Sequence, residues 1–159
     1  MNYLREYDSE CRRLASEQGY IFSLSVKEKL PSFYFAKVLV NTEEIKLYDD
    51  LSYKCSGISR EELFLIAKNK LRMKRGTIYS FEEMNWIGYF YRTYCYLFNI
   101  SSSKAFKDIP ISFLRSVYYP YHSLDIRKAI DMVIKNLNIN EIDNEERAYE
   151  LVRKIYKTA

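Results

Sequence analysis

Three groups of residues in this 159-residue chain have the types and spacing for chemistry. The first is a run of cations in the segment KNKLRMKRG at 68–76: Lys68, Lys70, Arg72, Lys74 and Arg75. On a helix, Lys68, Arg72 and Arg75 share one face, and Lys70 with Lys74 forms the adjoining row. Such rows can hold phosphates or carboxylates, and they also suit the last turns of a helix, where the macrodipole favours positive charge. The second is Arg92, the one charge in the aromatic run WIGYFYRTYCYLFNIS at 86–101. A guanidinium in such surroundings needs a carboxylate or phosphate partner, and Asp125 and Glu83 are the candidates within the chain. The third is the turn YYPYHSLD at 118–125, which brings tyrosines and the single histidine, His122, to a helix start near Asp125. His122 there can serve as a general base or contact an anion, or it can simply pack against the following helix as a hydrophobic-staple-like turn. If Arg92, Lys104, His122 and Asp125 converge on one cavity, they make a pocket for a nucleotide or a small substrate.

Several other chemistries are not encoded. No Gly-rich phosphate loop, H-E-x-x-H, G-x-S-x-G or kinase signature is present. The three cysteines, Cys11, Cys55 and Cys95, are widely spaced and accompanied by one histidine, so neither a zinc site nor a disulfide framework is expected, and no metal or cofactor is assigned. The thiols read as reduced and buried, which suits a cytoplasmic protein. The N-terminal stretch has no apolar core of the signal-peptide kind. The aromatic run is too short for a membrane span and carries Arg92 inside it, so no membrane role is expected. A net charge of +4 is too small to announce nucleic acid, although residues 54–75 hold seven basic and two acidic residues, a local charge of +5. A DNA-reading helix would begin with Arg, Asn, Gln or Ser, whereas SREELFLIAKNK begins acidic.

The elements that must position these groups read as helices. Leu4, Tyr7, Cys11 and Leu14 make a stripe over 2–18, with Gly19 as its stop. Pro31 suits the first turn of an element over 33–40, which is helix or short strand. Residues 42–50 make a short polar helix, and CSGIS is a loop. Ser59 with Glu62 and Ser80 with Glu83 are capping-box pairs; the first opens a helix running to Gly76, the second the aromatic helix to about Phe98. Further helices follow at ISSSKAFKD, at PISFLRSVYY (ended by Pro120), at LDIRKAIDMVIKNL (capped by Ser123) and at ERAYELVRKIYKT (capped by the pair Asp143 and Glu146). The fold class is all-α: one domain over 1–159, a bundle of seven or eight helices with its core in 58–159 and a less defined N-terminal part over 1–57.

The aromatic helix is apolar on every side. Trp86, Phe90, Thr93 and Leu97 share a face, and Ile87, Tyr91, Tyr94 and Phe98 lie beside it. That pattern marks the central, buried helix of a bundle. Its tyrosine hydroxyls then need partners at the edges of the core. Gly88 would let a neighbouring helix approach closely.

One set of residues carries a resemblance: Gly76, Thr77, Tyr79, the WIGY-x-YR motif (Trp86 to Tyr89, Tyr91 and Arg92), Ser102, Ser103, Lys104, Tyr119, His122, Asp125, Ala129 and Ile130. Over about 68–135 the chain resembles a family of small uncharacterised helical bacterial proteins encoded beside toxin-like genes, including ones of ADP-ribosyltransferase type. The resemblance implies a toxin–antitoxin or defence context and assigns no catalytic residue. The expected function is a non-enzymatic protein-binding module, antitoxin-like or the immunity partner of a bacterial toxin. Its expected partner-binding residues are Arg72, Arg75, Tyr89, Arg92 and Tyr119. The alternatives are a nucleic-acid-binding regulator using the basic helix 68–75, and a nucleotide-binding protein or enzyme with its pocket at Arg92, His122 and Asp125.

Overall fold

In a computed structural model that describes residues 3–72, 74–139, 149, 152, 153, 155 and 157, the helices run in the order α1 Ser9–Lys27, α2 Ser32–Val40, α3 Lys46–Asp49, α4 Tyr53–Ser56, α5 Arg60–Lys70, α6 Phe81–Phe98, α7 Ser102–Asp108, α8 Ile111–Tyr121 and α9 Ile126–Leu137. No strand occurs among the described residues, so 33–40 is helix. The all-α class stands: nine helices occur among the described residues against the seven or eight expected, and two of them, α3 and α4, are single turns of four residues each. None of the described helices is long and apolar enough to cross a membrane.

The aromatic helix α6 is the axis of the fold. Its capping box forms as expected: Ser80 Oγ accepts from the Glu83 N–H at 3.1 Å, and Glu83 Oε1 accepts from the Ser80 N–H at 3.0 Å. Helix α1 lies antiparallel along it. The Tyr96 hydroxyl reaches Asp8 at one end, and Lys27 sits over the Phe81 ring at the other. Two glycines allow this pairing. A Cβ on Gly88 would stand 2.7 Å from the Gln18 carbonyl oxygen and 2.8 Å from Phe22 Cγ; one on Gly19 would stand 2.7 Å from the Asn85 carbonyl oxygen. Gly19 is therefore not a stop. The stripe of Cys11 and Leu14 belongs to a helix that starts later, capped by Asp8, whose Oδ1 accepts from the Cys11 N–H at 2.9 Å, and that continues through Gly19 to Lys27. Close backbone approach outweighs the propensity cost of about 1 kcal/mol for a mid-helix glycine.

The rest of the chain wraps this pair. Phe22, Phe35, Phe90 and Phe98 are fully buried, each burial contributing roughly 1.5–3 kcal/mol. Phe22 meets Phe35 edge-on at 6.4 Å. Two of the buried tyrosine hydroxyls have partners of the expected kind: Tyr91 donates to the Ile109 carbonyl at 2.5 Å, and Tyr96 donates to Asp8.

Four further boundaries differ from the sequence reading. Cys55 and Ser56 belong to α4, which Gly57 ends at φ 66°, and Cys55 is exposed whereas Cys11 and Cys95 are buried. Helix α5 ends at Lys70 instead of Gly76, because Leu71 turns to extended backbone and packs against the core. The described residues that follow, 71, 72 and 74–79, cross α2 as a non-helical strap. Ser32 fastens it: the Ser32 N–H donates to the Thr77 carbonyl at 3.0 Å and the Tyr79 N–H donates to Ser32 Oγ at 2.8 Å. Pro120 does not end α8, which runs to Tyr121 with the His122 N–H closing on the Tyr118 carbonyl at 2.8 Å. Asp125, not Ser123, caps α9, since its carboxylate accepts from the Arg127 N–H at 2.9 Å and carries the charge that a helix N-terminus favours. The Asp143–Glu146 pair lies outside the described residues.

Candidate functional site

Arg92 points into the core, where it is 1% exposed. Its partners come from three other elements, and neither Asp125 nor Glu83 is among them. Nε donates to Gln18 Oε1 of α1 at 2.8 Å, Nη1 to Asp49 Oδ1 of α3 at 2.7 Å and Nη2 to Ser102 Oγ of α7 at 2.5 Å. Ser102 closes the ring: its hydroxyl donates to Asp49 Oδ1 at 2.6 Å and its N–H to Asp49 Oδ2 at 3.1 Å. The Tyr48 ring lies under the guanidinium at 5.5 Å. A buried cation is tolerable only when paired and hydrogen-bonded in this way, and the cluster ties α1, α3, α6 and α7 together. The two expected partners are engaged elsewhere: Glu83 binds Arg115 at 3.1 Å, and Asp125 binds Arg127 at 2.9 Å.

The sequence signal for this cluster was Gln18. It continues the stripe of Cys11 and Leu14, and an amide on an apolar stripe needs a buried polar partner. Asp49 was hidden in the polar segment TEEIKLYDD, and Ser102 in a cap signal.

An open cavity of about 700 Å³ lies where the N-terminal half of α6 meets the end of α8 and the start of α9. Phe81, Trp86, Tyr89 and Tyr118 make its aromatic walls, with His122 and Asp125 at one end. Trp86 and Tyr118 meet edge-on at 5.8 Å, and Tyr118 stacks with His122 at 4.5 Å. His122 Nδ1 is held by the Tyr118 and Tyr119 carbonyls at 2.9 and 3.0 Å. The Tyr89 hydroxyl pairs with that of Tyr7; burial, then this hydrogen bond, pushes the Tyr89 phenol well above its ordinary pKa. Tyr118 is also raised, by burial and then by the Glu82 and Glu83 carboxylates. The hydrogen bond from Arg127 lowers Asp125 to about 2, so this carboxylate is ionised and already partnered. Tyr119, beside the cleft and edge-on to His122, is 85% exposed.

A second depression of about 330 Å³ lies between α2 and the strap. Its floor is Tyr34, Val38 and Leu71, and its rim carries Lys37, Lys70, Arg72 and Lys74. Because the strap is not helical, Lys68, Arg72 and Arg75 do not share a helix face. Lys68 pairs with Glu28 of α1 at 3.2 Å, while Arg75 stands exposed outside the depression.

The expected site residues therefore separate. Tyr89, His122 and Asp125 meet in the cleft with Tyr119 beside it. Arg72 lies in the basic groove. Arg92 is sealed, and Lys104 pairs with Asp108 on α7 at 3.2 Å. A pocket joining Arg92, Lys104, His122 and Asp125 does not form. Among the described residues no three His, Cys, Asp or Glu side chains group to hold a metal. The fold and cleft define an all-α protein with an open aromatic cleft on its central helix. Compared with family models, curated proteins and solved structures, the chain matches none of them.

Proposed function

We propose that the chain is a protein-binding module, the antitoxin-like or immunity partner of a bacterial toxin, and that it engages its partner at the aromatic cleft. The observation that carries this reading is Tyr119, 85% exposed beside a preformed aromatic cavity. Tyrosine, tryptophan and arginine supply most hot spots at protein interfaces, because they offer large rigid area with a polar tip. His122 and Trp86, held by stacking and by carbonyl contacts, give the cleft the fixed shape that keeps the ordering cost of association low. The toxin context rests on the resemblance over 68–135.

Co-expression with the product of the neighbouring gene, followed by co-purification, tests the proposal. Wild-type chain is expected to carry the partner through size exclusion. Tyr119→Ala is expected to weaken the complex by about 2 kcal/mol, roughly 30-fold, with no loss of folding. Lys104→Ala, on a different helix, should bind as wild type. A chain that elutes alone beside the neighbour's product overturns the reading.

A further inference from the structure

The geometry points to the groove between α2 and the strap as a second docking surface, one that takes an acidic protein segment carrying aliphatic side chains. Four cations, Lys37, Lys70, Arg72 and Lys74, stand round it, and all are exposed. Near them stand Glu44, 3.8 Å from Lys70, and Glu43, which is already paired with Lys46 at 2.9 Å. Lys37, Arg72 and Lys74 have no carboxylate within ion-pair distance among the described residues. This is the opposite of the treatment given to Arg92, Arg115 and Arg127, each of which the fold supplies with an acid. Unneutralised cations around one concavity repel each other, and an anionic occupant removes that repulsion.

The floor decides which anion. Val38 and Leu71 offer an aliphatic surface that would bury a leucine-sized side chain between the cations. A single-stranded nucleic acid needs open ring faces and a track several nucleotides long. Tyr34 is the one ring on the floor. Lys74 sits over it at 4.6 Å, Phe33 meets it edge-on at 5.3 Å, and the Gly76 backbone backs onto its edge. A volume of about 330 Å³ admits one or two side chains rather than a run of bases. The groove shares no lining residue with the aromatic cleft, so this inference stands apart from the cleft reading.

The test is fluorescence anisotropy with a labelled peptide of about twelve residues, glutamate with leucine at every third position, titrated with the whole chain at about 0.1 M salt. Saturable binding is expected, and Arg72→Glu with Lys74→Glu should weaken it at least tenfold. The same peptide with glutamine for glutamate should not bind, and amide resonances of Tyr34, Val38 and Leu71 should shift with the acidic one. Both substituted positions are exposed, so unchanged circular dichroism and thermal unfolding show that the fold survives. Oligothymidylate binding as tightly as the peptide and lost with the same substitutions would make nucleic acid the occupant and overturn the inference. So would the absence of a peptide titration, or one indifferent to the charge reversals. Tyr119→Ala should leave the titration unchanged, so failure here and failure of the cleft reading are separate results.

Discussion

Arg92 and Arg72 sit on the same chain, twenty positions apart in sequence, and the fold treats them in opposite ways. Arg92 is surrounded by Asp49, Gln18 and Ser102 and is 1% exposed. Arg72 stands on the strap, exposed, with no carboxylate at ion-pair distance among the described residues. The difference separates a charge that holds elements together from charges free to meet a partner. A satisfied, sealed cation is a structural tie however suggestive its neighbours are in sequence. An unsatisfied surface cation costs the fold little, and it leaves its interaction free for binding.

Substitutions can break this contrast, and the largest effect belongs to the sealed side. Arg92→Ala leaves Asp49 without its cation and is expected to cost about 3–5 kcal/mol in urea unfolding. A loss below about 1 kcal/mol would mean that the cluster is not the tie described here. Gly88→Ala tests the helix pair that places Gln18 beside Arg92. Its Cβ would meet the Gln18 carbonyl oxygen at 2.7 Å, so α1 must shift; a loss of about 2 kcal/mol is expected after the gain in helix propensity. Stability equal to wild type would show that α1 can move away freely. On the open side, Arg72→Ala should change stability by less than about 0.5 kcal/mol, while reducing acidic-peptide binding several-fold. A melting temperature lowered as far as that of Arg92→Ala would erase the distinction.

Much of the fold was legible in local signals. Ser80 with Glu83, Ser59 and Pro110 start helices where their side chains or ring predict, because capping is decided within one turn. The all-round aromatic pattern of α6 marked a core helix, and Gly88 marked a close approach. The misreadings share a cause. Gly19 looked like a stop because its neighbour across space, Gly88, is remote in sequence. The run 68–75 looked like a helix face, yet Ser32 draws the strap off the helical path. Of the candidate site, Tyr89, Tyr119, His122 and Asp125 were legible from the aromatic run and the tyrosine turn. Tyr34 and Lys37 were not, since they share a groove with Arg72 only through the packing of α2 under the strap.

The amino-acid sequence by itself determined the helical class, most helix starts and the burial of the aromatic helix, all consequences of spacing within a few turns. Only the tertiary structure decided where charge is spent. Coulomb and hydrogen-bond energies depend on distance and burial, not on sequence separation, so Arg92 takes Asp49 from a remote turn while Glu83 and Asp125 go to Arg115 and Arg127.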